Sequence, residues 1–392
     1  MINEIISLID KHKEWRVRDS INLIPSENIT SPMVRSILSS DLGQRYTSRD
    51  KFYMGTRFID EIEEYGEKLA KEVFHSQTAD LRPLSGHIAD LIFLATCTRP
   101  KDTILCVSPS SGGYPGIGKD GLLSLLTLKV ESFPFSKERM NIDEDQASDL
   151  ILRVKPNLIV FGASLFLFPH PVQKLARIGR EIGAHVGFDG SHVLGLIAGE
   201  QFQDPLREGA SVLLGSTHKS FFGPQGGIIL ADEEHGQIMK PRIHPAFVDN
   251  AHWNRIAALT LTLAEIHKFG KVYARQVIKN AQALAKALAQ NSFPVACPSL
   301  GFTRSHQVFL DYGGYKKGRV VAEKLEAANI IADCGVRLGV CEVTRKGMKE
   351  KEMEQIAEFI GKVVKDSEQP EKIKPQVVKF VGEFQKIGYC FE

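Results

Sequence analysis

The chain has 392 residues, 43% hydrophobic and 24% charged, enough to bury a large core and to form two domains. Its 49 basic residues nearly cancel its 47 acidic ones, leaving a formal charge of +2, so no global field favours nucleic acid or an anionic membrane as partner. The six cysteines include no C-x-x-C pair and no histidine at ligand spacing, a pattern of thiols in a reducing cytoplasm with no metal site, and the apolar run 158–168 is far shorter than the ~20 residues a spanning helix needs.

Residues 1–18 mix Ile2, Ile5, Ile6 and Ile9 with Asp10, Lys11, Lys13 and Glu14, the period of an amphipathic helix and not of a signal peptide. A loop over 21–32 follows, in which Ser31 and Pro32 read as an N-cap and first helical residue. The stretch 44–57 holds Tyr46, Tyr53 and Gly55 with Arg45, Arg49, Lys51 and Arg57, and taken alone is an exposed basic loop. Ile59, Ile62, Leu69, Ala70, Val73 and Phe74 recur at helical spacing. Ser85 and Gly86 then open an apolar helix. Their hydroxyl and amides suit an anion such as phosphate, although simple capping explains the pair equally well.

From there strands and helices alternate. Strands are expected over 103–107, 128–133, 156–163 and 184–189, with a helix over 172–182. Asp189 and His192 emerge at the carboxyl end of the last of these strands, where open α/β sheets bind ligands. Short strands over 210–214 and 228–231 flank a glycine-bearing loop that carries Lys219. A lysine in a partly desolvated pocket loses proton affinity and forms Schiff bases with carbonyls, including that of pyridoxal phosphate. The plain alternative is a basic surface turn; Asp189 argues against it, because a pyridoxal enzyme needs a carboxylate on its pyridine nitrogen. Beyond Asp232 helices are expected over 256–266, 271–290, 319–328 and 348–364, with strands over 307–311, 330–332 and 336–340. Arg337 lies between glycines on the last strand, where its guanidinium could hold a carboxylate bidentately or be ordinary surface charge. The rhythm implies an α/β fold with a mostly parallel sheet covered on both faces and a smaller α+β domain. The expected organisation is an arm over 1–45, a large domain over 46–265 and a small domain over 266–392.

Together these pieces resemble serine hydroxymethyltransferase, a pyridoxal-phosphate enzyme of fold type I, along nearly the whole chain. The matching motifs are Ile24-Pro25-Ser26-Glu27-Asn28, Phe58-Ile59-Asp60-Glu61-Ile62-Glu63, Ser85-Gly86, Gly112-Gly113, Gly162-Ala163-Ser164, Asp189 with His192, Thr217-His218-Lys219 with Gly223-Pro224 and Gly226-Gly227, and Gly335-Val336-Arg337-Leu338-Gly339 with Thr344-Arg345-Lys346-Gly347. The resemblance implies that Lys219 bonds the cofactor aldehyde, Asp189 pairs with the pyridine nitrogen and His192 neighbours the ring oxygen and the substrate. It makes Ser85 and Gly86 phosphate ligands, gives Thr217, His218 and Ser164 cofactor contacts, and sets Tyr114 to stack on the ring. Arg337 and Ser26 would hold the substrate carboxylate. Tyr53 would be a catalytic group supplied by the other subunit of a homodimer with shared sites.

The chain also departs from the family pattern. The segment Tyr46-Thr47-Ser48-Arg49-Asp50 lacks the family's proton-transferring glutamate, Tyr114 replaces a histidine, and His87 a serine. Val248-Asp249-Asn250 stands for a Gln-Gly-Gly loop, Gln225 for an arginine, and the segment before Gly335 lacks a long insertion that helps cradle folate. The expected activity is therefore cleavage or formation of the Cα–Cβ bond of a β-hydroxy amino acid without folate, the partners being a small amino acid and an aldehyde or one-carbon unit. His192, His87, His252 or water would move the proton. The rivals are the pterin-dependent family reaction, another type I reaction such as transamination, decarboxylation or transaldol exchange with a larger aldehyde, and a non-catalytic paralogue.

Overall fold

The computed structural model describes residues 1–47, 52–365 and 368–392; Ser48, Arg49, Asp50 and Lys51 of the expected basic loop lie outside them. The described chain forms two units, Thr30–Ala274 with Cys390–Glu392, and Met1–Ile29 with Arg275–Tyr389.

The larger unit is built on a seven-stranded sheet in the order Thr78–Asp80, Gly227–Ala231, Val212–Ser216, His185–Asp189, Leu158–Phe161, Thr103–Cys106, Lys129–Ser132. Neighbours pair in parallel from Val212–Ser216 to Lys129–Ser132, while Gly227–Ala231 runs antiparallel to both of its neighbours. Only that strand therefore opposes the rest. The central strands Leu158–Phe161 and Val212–Ser216 are buried along their length, as a sheet covered on both faces requires, and their near-continuous Val, Ile and Leu content follows from it. Burial of Phe161 and Phe188, each fully buried, stabilises the fold by about 1.5–3 kcal/mol apiece. The helix Gly86–Cys97 lies directly on the sheet: a Cβ added to Gly187 would sit 2.2 Å from a Phe93 ring carbon. That close approach fixes where the helix begins.

The two helices expected over 256–266 and 271–290 are one continuous helix, Trp253–Gln290. Gly270 does not interrupt it; the absence of side chains there lets the chain at Gly199 pack on the helix backbone, where a Cβ on Gly199 would lie 2.5 Å from the Gly270 carbonyl oxygen. Sequence periodicity also missed the three-residue strand Thr78–Asp80 and the helices Glu233–Ala246 and Pro370–Gly382.

In the smaller unit, Ile21–Asn22 pairs in parallel with Ile330–Ile331, and Gln307–Phe309 antiparallel with Arg337–Gly339. The N-terminal segment is thus tied by backbone hydrogen bonds to residues some three hundred positions away. The helix Glu350–Val364 buries Met353, Ile356, Ala357, Ile360 and Val363, an apolar stripe at three- and four-residue spacing. Among the described residues no helix is long and apolar enough to cross a membrane, and all six cysteines are thiols.

Candidate active site

The carboxyl ends of the parallel strands carry the loops that hold most of the singled-out residues of the larger unit. Lys219 sits between Val212–Ser216 and Gly227–Ala231 in a loop that closes on itself. The Thr217 amide donates to the Gly226 carbonyl at 3.1 Å, the Gly223 amide to the Thr217 carbonyl at 2.7 Å, and the Thr217 hydroxyl to the Pro224 carbonyl at 2.6 Å. Thr217 is accordingly a strut of the loop. Phe221 and Phe222 are fully buried behind it, Phe221 stacked on Phe74 at 5.9 Å and Phe222 edge-on to Tyr273 at 4.8 Å. These anchors leave Lys219 and His218 half-buried. Burial, and then the neighbouring Lys219 charge, push His218 down to about 4, so a neutral imidazole flanks the amine. The His218 Nδ1 is buried and has no hydrogen-bond partner among the described residues.

One strand over, Asp189 ends His185–Asp189 and its Oδ1 accepts from the Ser191 amide at 2.9 Å. The Gly190 amide donates to Leu214 at 2.8 Å and the Ser216 amide to Ser191 Oγ at 2.9 Å, knitting the Asp189 turn to the lysine strand. His192 is buried in that turn, which the Val193 amide closes on Gly190. Ser85 caps the helix Gly86–Cys97 by accepting from the Ile88 amide at 3.1 Å. A Cβ on Gly86 would lie 2.4 Å from Ser216 Oγ and 3.0 Å from Ser191 Oγ. Only glycine lets this helix start settle among those hydroxyls, which makes a small concave cradle of amide and hydroxyl donors.

Tyr114 and Ser164 arrive on adjacent loops. The Ser164 amide donates to Gly112 at 2.8 Å, and Gly162, with φ +114°, passes so close to Asp189 that a Cβ would be 2.2 Å from its carbonyl oxygen. The Tyr114 hydroxyl lies 3.1 Å from His87 Nδ1. Its phenol is raised by burial and then by the negative charges of Asp90 and Asp189, which places it within electrostatic reach of both. Asp90 was not singled out from the sequence. It is fully buried one turn into the Gly86 helix, and its carboxyl is pushed well above the usual range by burial, then by Asp189, with Lys219 opposing. The only sequence signal was a lone acid inside an otherwise apolar helix.

The smaller unit carries the two residues expected to hold a carboxylate. The Gly339 amide donates to Leu23 at 2.7 Å, and a Cβ on Gly339 would be 2.3 Å from Pro25 Cα, so the loop bearing Ser26 packs on the strand bearing Arg337. Arg337 is a quarter exposed, and its Nε donates to Asp333 Oδ2 at 2.9 Å. Arg345 of the neighbouring motif is instead buried, donating to the carbonyls of Ile29, Gly388 and Tyr389. Tyr53 is exposed and packs on Tyr46 and Phe52 at ring distances of 5.0 and 5.1 Å.

The donor set of the larger unit fits pyridoxal phosphate: an amine for the aldehyde, a fixed carboxylate for the pyridine nitrogen, a glycine-dependent cradle for the phosphate and an aromatic flank. Two of the departures from the family pattern meet in the Tyr114–His87 contact, and a third, Asp249, accepts from the Tyr46 hydroxyl.

Residues 1–360 match the protein-family model described as serine hydroxymethyltransferase. Curated relatives named serine hydroxymethyltransferase include one from Methanocella arvoryzae, 44% identical over 96% of this chain and 93% of its own length. Another, from Thermococcus kodakarensis, is 41% identical over 100% and 96%. Among solved structures, an L-threonine transaldolase from Pseudomonas fluorescens in its internal aldimine state superposes with a TM-score of 0.93 at 25% identity, over 100% of this chain and 93% of that one.

Proposed function

The chain belongs to the serine hydroxymethyltransferase family and is a pyridoxal-phosphate-dependent enzyme of fold type I, and on that footing we propose that it cleaves and forms the Cα–Cβ bond of a β-hydroxy amino acid, yielding glycine and an aldehyde without a pterin carrier. The observation that carries this reading is the gathering of Lys219, Asp189, Asp90 and Tyr114 at one end of the sheet, in a chain whose segment 46–50 has no glutamate and whose segment before Gly335 lacks the insertion that helps cradle folate in the family. Bound there, pyridoxal phosphate supplies the electron sink that takes up the electron pair of the broken bond. The chain's own residues bind and orient. Asp189, oriented by the Ser191 amide, would pair with the pyridine nitrogen and favour its protonated form. Ser85 and Gly86 receive the phosphate, and Tyr114 flanks the ring. Arg337, steadied through Nε by Asp333, and Ser26 fix the substrate carboxylate and thereby align the bond to be broken. Lys219 would hold the cofactor aldehyde through its amine until the substrate amine takes its place, and His192, in the turn after Asp189, would relay the proton of the β-hydroxyl.

A second reading, serine-to-glycine conversion with a tetrahydropterin as one-carbon acceptor, is favoured by the names of relatives at 41–44% identity. Assays of serine, threonine and phenylserine cleavage with and without tetrahydrofolate or another tetrahydropterin separate the two. Carrier-free aldehyde release with turnover unchanged by added carrier supports the proposal. Serine turnover that rises by orders of magnitude only with a carrier overturns it. Lys219→Ala should abolish turnover under either reading.

A further inference from the structure

At the amino-terminal end of the parallel strands, opposite Lys219, three side chains from three elements converge. Cys97 is the last residue of the helix Gly86–Cys97, His185 the first of the strand His185–Asp189, and His235 lies in the first turn of Glu233–Ala246. One ligand-capable atom from each lies within 4.8 Å of the others. The His185 Nδ1 and His235 Nε2 atoms are 3.0 Å apart, with the rings at 87°. Asp232, the N-cap of the third element, accepts through Oδ1 from both the backbone amide and the ring Nδ1 of His235, each at 2.8 Å. With its Nδ1 proton held by a carboxylate, the neutral imidazole of His235 presents its lone pair at Nε2 towards the cluster.

We infer that Cys97, His185 and His235 form a binding site for one zinc-like transition-metal ion, with Asp232 positioning His235 and a fourth coordination place left to water or a small ligand. The donor chemistry is that of borderline-soft divalent ions: one thiolate and two imidazoles, which suit zinc and its relatives over magnesium or calcium. Spacing agrees with it. Zinc bonds of about 2.0–2.1 Å to nitrogen and about 2.3 Å to sulfur put tetrahedral ligand atoms roughly 3.3–3.6 Å apart. The two nitrogens are already at 3.0 Å and the sulfur within 4.8 Å, so side-chain adjustments of about an ångström close the site. A carboxylate behind a ligating histidine is the recurrent outer partner of such sites, fixing tautomer and ring orientation.

Access is provided for. Cys97 and His185 line a cavity of about 570 Å³ together with Thr98, Asp102 and Arg242, and His185 is only partly buried, so an ion and its water can enter. On binding, the Cys97 thiol gives up its proton to solvent and His185 moves its ring proton from Nδ1 to Nε2, which faces no proton loss of its own. A metal-free Asp232–His235–His185 hydrogen-bond chain would account for three of the four residues but gives the sulfur no part. The ion would tie the far end of the helix that begins at Gly86, and the near end of the strand that finishes at Asp189, to a third element. It would act as a staple at the back of the cofactor site, and the inference stands apart from the choice of substrate.

The test uses the full-length, pyridoxal-phosphate-loaded protein, stripped with a chelator and equilibrated with zinc or cobalt(II). We expect one zinc per chain by elemental analysis, binding lost by about 100-fold in Cys97→Ser and His235→Gln and weakened by about 10-fold in Asp232→Asn, and a zinc-dependent rise in thermal midpoint in wild type alone. The cobalt form should show intense tetrahedral d–d bands and a thiolate charge-transfer band that Cys97→Ser removes. Circular dichroism and cofactor content establish that each variant is folded, and should Cys97→Ser fail that check, the wild-type cobalt spectrum decides. Retention of well under one equivalent of zinc, affinity unchanged by Cys97→Ser, or a weak octahedral cobalt spectrum without sulfur ligation overturns the site.

Discussion

Gly86→Ala is the sharpest test of the phosphate cradle. The added methyl would stand 2.4 Å from Ser216 Oγ and 2.8 Å from the Ser216 backbone nitrogen. A hydroxyl can rotate aside, but the nitrogen belongs to the sheet and already donates to Ser191 at 2.9 Å. Either the helix start or the strand end must therefore yield by about 0.6 Å to restore ordinary contact. Overpacking of this kind costs about 1–3 kcal/mol of stability. If the Gly86 amide receives the phosphate, its displacement would also forfeit a hydrogen bond to a charged group, about 1.5–3 kcal/mol, which corresponds to cofactor binding weaker by roughly 10- to 150-fold. Equilibrium dialysis of cofactor-free protein against pyridoxal phosphate measures it. The control is Gly361→Ala inside the helix Glu350–Val364, where the nearest atom to the new methyl is 4.0 Å away; it should leave affinity unchanged and stabilise the fold by up to about 1 kcal/mol. A folded Gly86→Ala protein that binds the cofactor within about threefold of wild type would mean that the phosphate docks elsewhere.

Four further outcomes are expected. Asp90 has its folded-state pKa raised, so its contribution to stability is full below the unfolded value of about 4 and is lost as pH rises towards the folded value; Asp90→Asn should unfold in urea at the same or higher concentration than wild type at pH 8, gaining relative to it between pH 5 and pH 8, whereas parallel curves would remove Asp90 from the account. His170, buried beside Phe166 and pushed down to about 3, contributes stability above the unfolded value of about 6.5 that is lost as pH falls through that window; His170→Phe should flatten the acid limb by one proton, about 1.4 kcal/mol per pH unit, and an unchanged limb would contradict the burial argument. Asp333→Ala removes the acceptor of the Arg337 Nε and should raise KM for the amino acid by up to about 10-fold, the equivalent of ~1.4 kcal/mol, with cofactor content intact; a fall in kcat alone would speak against carboxylate binding by Arg337. If Tyr53 acts in the site of a second copy, co-expressing Tyr53→Phe with Lys219→Ala should restore activity in one of the two sites of a hybrid dimer, and hybrids as inactive as both parents would refute sharing.

What the sequence disclosed and what it withheld divide along the range of the interactions concerned. Lys219, Asp189 and the strands that carry them announce themselves by local apolar runs ending in glycine or a charge, because a buried parallel strand must be apolar throughout. Thr78–Asp80 is too short to have a period and exists because Gly227–Ala231 offers it an antiparallel edge. The unbroken helix Trp253–Gln290 hid behind Gly270, whose compatibility with a helix depends on the backbone at Gly199. Asp90 gave no signal because its meaning is a matter of distance: an acid in an apolar helix becomes notable only when Asp189 and Lys219, about a hundred residues on, come near it. The Cys97, His185 and His235 grouping is invisible for the same reason, since no spacing rule covers ligands drawn from a helix end, a strand start and a second helix.

The departures from the family pattern carry a physical argument of their own. Read singly, a tyrosine for a histidine at 114 and a histidine for a serine at 87 look like two losses. Their side chains meet at 3.1 Å, so the imidazole that one position gives up returns at the other, and the phenol that replaces it gains a hydrogen-bond partner next to Asp90 and Asp189. At the surface the Tyr46 hydroxyl donates to Asp249, which holds that phenol up at about 12. The pair at 114 and 87 stands at positions that the family pattern gives to the cofactor ring and phosphate, so its rebuilding bears on how the cofactor is held, while Lys219, Asp189, Ser85 and Gly86 stay unaltered. What points to a changed acceptor is the missing glutamate in 46–50 and the missing insertion before Gly335.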